Sequence, residues 1–295
     1  MKKRKLKGLV VGYLLVLCTL LLLLTSLKSE AQVFKRYINL QDALKEPDRV
    51  QWLELTSDSL ISIPDELFRL KNLQYLDLSN TYISNLPARI SELKQLRYIN
   101  LSGTRLQSLP KAFGSLDNLR TLQLSNLPSL NLEPTIEVLS ELKSLKVLDL
   151  KDDQISALPP SIKGLAHLEV LDLSGNPIRT IPTELKLLNN LEVLYLNNDK
   201  NLNVEKSLDI LTDVVNLKEL HLENDGIKIL PDKITRMRSL EYLYLNNNRL
   251  ENLPTSLGKM RKLKYLDIHQ NPIPNVFLEQ YRDELAPSIK INLGN

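Results

Sequence analysis

The chain has 295 residues, of which 43% are hydrophobic and 25% charged, and its formal net charge at pH 7 is +3. This apolar content supports a sizeable core, and the single cysteine, Cys18, excludes a scaffold held by internal disulfides. The positive charge belongs to residues 1–31, which hold six Lys or Arg and one acid. The remainder has 32 basic and 34 acidic residues, a net charge of −2. That balance argues against a nucleic-acid partner, which requires a concentrated basic face.

Residues 1–31 have the pattern of an export signal. Basic residues precede an uncharged, leucine-rich stretch over residues 8–27, and Ser29-Glu30-Ala31 supplies small residues of the kind that signal peptidases cleave after. Cleavage after Ala31 is the preferred interpretation. The alternative is an uncleaved anchor, because residues 8–27 are about long enough to span a bilayer.

Both alternatives place the rest of the chain on the same side of the membrane. The basic cluster stays cytoplasmic, so the following residues are predicted to be exported, either secreted, periplasmic or on the envelope surface. Contact with a membrane is then expected only through residues 8–27, if they are retained.

Residues 32–49 are predicted to form an amino-terminal cap. Their apolar residues are spaced as in an amphipathic segment that would cover the front of a core, namely Ile38, Leu40, Ala43 and Leu44. Pro47 closes this segment.

A repeated unit occupies residues 50–271. Each copy begins with an aliphatic residue, continues with leucine or another aliphatic at the fourth and sixth positions, and in most copies has Asn, Asp or Thr at the ninth. The ten copies begin at Val50, Leu73, Leu96, Leu119, Leu145, Leu168, Leu191, Leu217, Leu240 and Leu263. Seven of the nine steps are 23 residues long, and those from Leu119 and Leu191 are 26. A unit this short can bury its apolar residues only against copies of itself, which predicts a solenoid.

The spacing within a unit changes from a strand pattern to a helix pattern. In residues 168–190, apolar and polar residues alternate around Leu171 and Leu173, which predicts a short strand. From Ile181 onward the apolar residues come every three or four positions, which predicts a turn of helix opened by Pro182. The two 26-residue units are predicted to carry longer helices, with apolar faces made by Ile136, Leu139 and Leu142 in one and by Leu208, Leu211 and Val215 in the other.

This pattern resembles that of leucine-rich repeat proteins over about three quarters of the chain. The Leu-Pro or Ile-Pro start of the outer segment, as at Leu86-Pro87, is similar to that of Shoc2-like and plant Ras-group repeats. The resemblance implies an α/β horseshoe of about ten repeats, with a parallel sheet on the concave face and short helices on the convex face. An exported domain without disulfides further favours a bacterial protein.

The resemblance also implies a role for the ninth residue of each unit, which hydrogen-bonds buried backbone at the corner after the strand. Leu127 cannot do this. Asn126 or Asn131 is therefore expected to substitute for it.

Residues 272–295 are predicted to form a carboxy-terminal cap. The residues expected to cover the last repeat are Val276, Phe277, Leu278, Tyr281 and Leu285, followed by Ile289, Ile291 and Leu293.

The sequence carries no recognisable catalytic motif, so neither an enzyme nor a cofactor is expected. It has no nucleophile elbow, no phosphate-binding glycine loop and no His-Glu-x-x-His. His221 and His269 fall on strands two units apart, about 9 to 10 Å by strand spacing, which is too far to share a metal ion easily. Asp149 and Asp172 lie on neighbouring strands near Lys151 and are interpreted as an ordinary solvated pair rather than a cation site.

The remaining candidate is the concave face, formed by positions three, five and seven of each unit. A front group comprises Trp52, Tyr75 and Tyr98, next to Glu54 and Asp77. A rear group comprises Tyr195, His221, Tyr242, Tyr244, Tyr265, Asp267 and His269. Aromatic side chains present rigid contact area at low entropic cost, which makes a protein partner on the rear group the leading hypothesis.

Three alternatives remain open for the concave face. Tyrosine ladders also stabilise sheets by themselves, so the aromatic residues could be purely structural. The front group could bind a glycan or small ligand. The protein could also be an envelope or adhesion component without a single ligand.

Overall fold

The computed structural model describes residues 35–285 and 289–294. These residues form one parallel sheet of twelve strands in chain order, each hydrogen-bonded to the next. The strands are β1 (Arg36–Tyr37), β2 (Trp52–Glu54), β3 (Tyr75–Asp77), β4 (Tyr98–Asn100), β5 (Thr121–Gln123), β6 (Val147–Asp149), β7 (Val170–Asp172), β8 (Val193–Tyr195), β9 (Glu219–His221), β10 (Tyr242–Tyr244), β11 (Tyr265–Asp267) and β12 (Lys290–Asn292). The predicted α/β solenoid is confirmed. The ten repeats supply β2 to β11, and one further strand extends the sheet at each end.

The outer segments of the 23-residue units are 3₁₀ helices rather than the α-helical turns that the spacing suggested. They span Asp65–Arg69, Ala88–Glu92, Lys111–Ser115, Pro160–Gly164, Thr183–Leu187, Asp232–Arg236 and Thr255–Lys259, and a shorter one, Pro47–Arg49, precedes the first repeat. Each of the seven is preceded by a proline, such as Pro182 with φ −73°. A segment of five residues is too short to gain much from α-helical hydrogen bonds, and the tighter 3₁₀ turn is common in such short pieces.

The longer helices predicted for the two 26-residue units are confirmed. With α1 given to Leu40–Ala43 of the amino-terminal segment, they are α2 (Leu132–Leu139) and α3 (Val204–Leu211), and α4 (Asn275–Leu285) follows the last repeat. The prediction for Val215 is wrong. Val215 follows the end of α3 and is 60% exposed, whereas Val214 is 4% exposed and takes the core position.

The core consists of aliphatic rows that run from unit to unit between the sheet and the outer segments. The middle residue of each repeat strand is buried, as at Leu53, Leu122 and Leu220, because alternate strand residues point to opposite faces. Burying one such side chain contributes on the order of 1.5 to 3 kcal/mol. The flanking strand residues point the other way, which creates the concave surface.

The ninth residue of the unit fixes the corner behind each strand. Asn176 accepts hydrogen bonds at Oδ1 from two backbone N–H groups of the preceding unit, and its Nδ2 donates to the carbonyl oxygens of Leu150 (2.8 Å) and Leu173 (2.7 Å). Asn248 makes the same four bonds. The role implied by the resemblance is confirmed at these two corners. Asp58, at the same position in the first unit, is exposed.

Aspartates take this position in three other units, where they can accept but, when ionised, cannot donate. Asp153 accepts from the Leu127 N–H (2.6 Å), as Asn176 accepts from the Asp153 N–H. Asn131 makes no side-chain capping bond at the start of α2, and its substitution for Leu127 stays a prediction, as does that of Asn126. Asp225 accepts from the Asp199 N–H (2.7 Å). Within the described residues, Asp153 Oδ2, both carboxylate oxygens of Asp199 and Asp225 Oδ2 are buried without a hydrogen bond. Burial raises the pKa of Asp153 to about 7 and those of Asp199 and Asp225 to about 8.

The eighth residue of the unit turns the chain through a left-handed conformation. Positive φ angles occur there at Asn80, Gly103, Asn126, Asp152, Gly175, Asn198, Asn224, Asn247 and Gln270. Asn, Asp and Gly tolerate this conformation best, which explains their frequency at the position. At Gly175 a Cβ would lie 1.9 Å from Asp152 Oδ1, so any other residue there would displace the Asp152 side chain.

The segment before the first repeat differs in part from its prediction. Ala43 on α1 is fully buried, and Leu40 and Leu44 pack against the core. Ile38 is 72% exposed, so the prediction that it covers the core is wrong. It precedes Asn39, the N-cap of α1, whose Oδ1 accepts from Gln41 N–H.

The segment after the last repeat also differs in part. Tyr281 is buried, and its hydroxyl accepts from the Leu253 N–H (2.8 Å). Leu285 and Ile289 are buried as predicted. Val276 and Phe277 are 66% and 39% exposed, so the prediction that they cover the last repeat is wrong.

The predicted signal or anchor over residues 1–31 lies outside the described residues. Within the part of the chain that the structure describes, no helix combines the length and the apolar character that crossing a bilayer requires.

Candidate binding surface

The concave face is built by the outward-pointing residues of parallel strands in register. Trp52, Tyr75 and Tyr98 are successive Cα partners on β2, β3 and β4, and Tyr195, His221 and Tyr244 are successive partners on β8, β9 and β10. Register at a strand spacing of about 4.8 Å brings flat side chains within stacking distance. The repeat therefore dictates two ring stacks.

The front stack contains Trp52, Tyr75 and Tyr98. Adjacent ring centroids are 4.1 Å apart, with interplanar angles of 28° and 4°. The Trp52 Nε1–H donates to Glu54 (2.7 Å), and the Tyr98 hydroxyl donates to Gln123 Oε1 (2.5 Å). Burial raises the pKa of Tyr75 to about 12, so this stack is neutral at physiological pH. The rings turn their faces toward one another, which leaves mainly ring edges toward the concave opening.

The rear stack contains Tyr195, His221, Tyr244 and Tyr265. The His221 ring lies between Tyr195 and Tyr244, with centroid distances of 4.1 Å on both sides. Tyr265 continues the stack at 5.3 Å from Tyr244 with its ring tilted by 49°. The fifth position of three successive units predicts that Tyr195, His221 and Tyr244 lie side by side on neighbouring strands, and this is confirmed.

His221 is the electrostatic centre of the rear stack. Its Nε2 lies 2.8 Å from Glu219 and its Nδ1 lies 3.0 Å from Glu223. Burial would lower the pKa of His221, but hydrogen bonds to Glu219 and Glu223 outweigh it and raise the pKa to about 9. The imidazole is therefore protonated at neutral pH, and a cation lies between two tyrosine faces.

Sequence reasoning missed this arrangement, although its signal is in the chain. Glu219, His221 and Glu223 alternate with leucines, so all three point to the same face of β9 and its continuation. Acids two residues before and two residues after a histidine on a strand indicate an imidazolium held between two carboxylates.

The predicted binding residues divide into buried and accessible groups. Tyr98, Tyr195, His221 and Asp267 are buried by their neighbours, so they support the surface rather than form its outer layer. Asp267 contacts His269 Nδ1 (2.5 Å), the Tyr265 hydroxyl (3.2 Å) and Asn292 Nδ2 (3.0 Å). The accessible, half-buried members are Trp52, Tyr75, Tyr242, Tyr244, Tyr265 and His269.

The two histidines of this face are both held by carboxylates. The two nitrogens of His221 are engaged by glutamates, and His269 contacts Asp267. Among the described residues, His, Cys, Asp and Glu side chains do not gather in groups of three that could hold a metal ion.

Family comparison agrees with the repeat that the fold displays. Residues 41–148 match a family model described as "Leucine-rich repeat region", and residues 143–200 and 215–273 match one described as "Leucine rich repeat". The chain is a leucine-rich repeat protein. A comparison with curated protein sequences gives no match.

Solved leucine-rich repeat structures share the fold. A chain of the Toll–Spatzle complex of Drosophila aligns with a TM-score of 0.69 at 21% identity, covering 88% of this protein and 34% of that chain. The leucine-rich repeat domain of the type III effector XCV3220 (XopL) aligns with a TM-score of 0.56 at 24% identity, covering 86% and 79% of the two chains. An internalin (inlF) of Listeria monocytogenes aligns with a TM-score of 0.50 at 18% identity, covering 87% of each.

Leucine-rich repeat solenoids typically serve as interaction modules, because stacking repeats creates an extended surface whose variable residues are not needed for folding. In this leucine-rich repeat protein the variable residues of the concave face include the two aromatic stacks and the polar residues around them.

Proposed function

We propose that this protein is a non-enzymatic interaction module that binds a protein partner through the concave face of an exported solenoid. One observation carries the proposal. Half-exposed aromatic side chains are fixed in position by stacking and hydrogen bonds along the sheet. Such side chains lose little entropy on binding, which is why aromatic residues dominate the energetics of protein interfaces.

The stacking geometry favours a protein over a glycan at the front stack. A sugar packs against an open aromatic face, whereas the Tyr75 ring has a neighbour on each side at 4.1 Å. Ring edges and hydroxyl groups suit hydrogen bonding and apolar contact with side chains.

A photo-crosslinking experiment tests the use of the concave face. A photoreactive phenylalanine analogue replaces Tyr242, which is half-buried on β10. The matched control places it at Tyr82, which is 46% exposed and lies in the corner after β3. A discrete protein adduct is expected from position 242 and not from position 82. Equal adducts from both positions, or none from position 242, would contradict the proposal.

A second test removes aromatic contact area from the concave face and measures binding of the partner. Tyr242→Ser with Tyr265→Ser should weaken capture of the crosslinked partner by at least about tenfold, which corresponds to about 1.4 kcal/mol. Tyr82→Ser is the control and should leave capture unchanged.

Export is a separate part of the proposal and rests on the sequence pattern of residues 1–31. Cell fractionation with amino-terminal sequencing of the mature chain tests it. A new terminus at Gln32 in an extracytoplasmic fraction would support a cleaved signal, and an intact terminus in the membrane fraction would support an anchor. Recovery of the protein from the cytoplasm would refute export.

A further inference from the structure

We infer that the concave face receives a cationic, arginine- or lysine-containing segment of its partner, whose positive charge lies over Asp149 and Asp172 between the two aromatic stacks. This inference rests on the proposed function and names the chemistry of the partner.

The middle of the concave face is a section of small side chains. Four successive strands, β5 to β8, carry Thr121, Val147, Val170 and Val193 at the position where β2 to β4 carry aromatic rings. From Tyr98 on β4 to Tyr195 on β8 the separation is about 19 Å by strand spacing. An extended chain segment fits in this width, and the half-buried valines can pack against the aliphatic part of a Lys or Arg side chain.

Asp149 and Asp172 lie in the centre of this section. They are Cα partners on β6 and β7, and both are half-buried. One oxygen of each carboxylate accepts a backbone N–H two residues later, from Lys151 (3.0 Å) and Ser174 (2.9 Å). A carboxylate offers about four acceptor sites, so each retains capacity for further donors.

Countercharge is distributed unevenly over the acids of this face. Glu54 pairs with Arg36, Glu219 and Glu223 share His221, and Asp267 contacts His269. Within the described residues, neither Asp149 nor Asp172 has a cation at ion-pair distance, and the ion pair of the nearby Lys151 is with Asp152, 3.9 Å away. A partner cation over these carboxylates differs from the ordinary solvated pair that the sequence suggested, and that expectation stays a prediction.

Burial and mutual repulsion make it unfavourable for Asp149 and Asp172 to be ionised together. Burial, and then repulsion from Asp172, raises the pKa of Asp149 to about 7, and burial also raises the pKa of Asp172. A ligand cation placed over both carboxylates relieves this repulsion. Charge complementarity therefore favours a positively charged occupant.

A guanidinium or ammonium group fits the site better than a divalent metal ion. Calcium takes six to eight oxygen ligands, and magnesium requires near-octahedral coordination. Among the described residues, no third His, Cys, Asp or Glu side chain joins this pair in a group that could hold a metal ion. A planar guanidinium can satisfy two carboxylates at once and can also stack on tyrosine edges or faces in the adjoining stack.

The test uses the full chain with octa-arginine as the probe, titrated at pH 8, where Asp149 is largely ionised. Asp149→Asn with Asp172→Asn replaces both carboxyl groups with neutral amides and keeps the Oδ1 acceptors that the Lys151 and Ser174 N–H groups use. The matched control, Glu137→Gln with Glu141→Gln, removes two exposed charges near the end of α2 on the outer side. We expect the concave double variant to bind octa-arginine at least about tenfold more weakly, with the control unchanged.

A second variant is expected to bind octa-arginine more tightly, a result that misfolding would not produce. Lys151→Met removes a cation whose charge acts on both Asp149 and Asp172, and should tighten octa-arginine binding by about threefold or more. Loss of affinity in this variant would overturn the inference.

Three other results would also overturn it. These are equal binding by the wild type and the Asp149→Asn, Asp172→Asn variant, absence of octa-arginine binding, and stoichiometric calcium binding that depends on the pair while octa-arginine binding does not. If the crosslinked partner is captured equally by the wild type and this variant, the cationic inference fails while the proposed function stands. If no concave-face adduct forms, the proposed function itself fails.

Discussion

The front stack and the first three rings of the rear stack have the same 4.1 Å ring spacing, but the two stacks differ in what holds them. Trp52, Tyr75 and Tyr98 are neutral, and their stack depends on apolar contact and on hydroxyl or indole hydrogen bonds. The rear stack contains the imidazolium of His221, clamped by two carboxylates. Register thus determines where the rings lie, whereas neighbouring charges determine how their stability responds to pH.

Removing the charge from the rear stack should have the largest effect on the stability of the fold. His221→Phe retains a ring of similar size but leaves Glu219 and Glu223 without their shared cation. Breaking a buried ion pair from one side costs several kcal/mol, and we expect a loss of about 4 kcal/mol in the free energy of unfolding at pH 7. Denaturant titration measures it. Tyr244→Phe, which keeps the neighbouring ring, is the control, and an equal loss in the two variants would contradict the clamp.

The rear stack should also differ from the front stack in how its stability depends on pH. The folded pKa of His221, about 9, lies above its ordinary value of 6.5, so its stabilisation is fully present below pH 6.5 and is lost as pH rises through about 9. That difference corresponds to about 3 kcal/mol. Unfolding titrations of the wild type and His221→Phe between pH 6 and 10 should therefore converge at alkaline pH. A constant gap between the two curves would refute this account.

The corner aspartates titrate in the same interval and provide the next largest effect. Asp199 is fully buried, and its folded pKa of about 8 means that stability present below pH 4 is lost as pH rises through 8. Asp199→Asn supplies the donors that Asn176 uses in its own corner, so we expect a gain of about 2 kcal/mol at pH 9 and less at pH 5. Thermal unfolding at both pH values tests this. Asp213→Asn, at an exposed site, is the control and should change neither value.

The smallest effect concerns the front stack. Tyr98→Phe keeps the ring in place but removes the hydrogen bond to Gln123, and a loss of about 1 kcal/mol is expected. Because Tyr98 remains neutral across the physiological range, this loss should be the same at pH 6 and pH 9 in denaturant titrations. A loss that varies with pH would mean that the front stack is also coupled to a titrating group.

The repeat made much of this fold predictable, because the 23-residue period places every aliphatic row and every strand. The same period predicted that Tyr195, His221 and Tyr244 lie next to one another on neighbouring strands. The end strands β1 and β12 were not predicted, since they join the sheet through backbone pairing and lack the repeat's side-chain pattern. The 3₁₀ form of the outer segments was missed because one turn of either helix has similar apolar spacing.

The candidate surface was less predictable because burial depends on neighbours that the sequence does not rank. Asp149 and Asp172 were expected to be solvated, but burial, joined at Asp149 by repulsion from Asp172, raises their pKa values. His221 was expected to form part of a contact surface, yet its neighbours bury it.

Asp199 and Asp225 lie in neighbouring units and weaken the interface between them, in a molecule whose units contact only their neighbours. In such an array, stability is approximately the sum of local unit and interface contributions, and opening begins where an interface is least favourable. Asp225 supports the backbone of Asp199, but neither carboxylate donates to the carbonyl groups that asparagine satisfies elsewhere. Mechanical stretching or alkaline conditions should therefore separate the array between β8 and β9 first, into two blocks that each retain one aromatic stack or most of one.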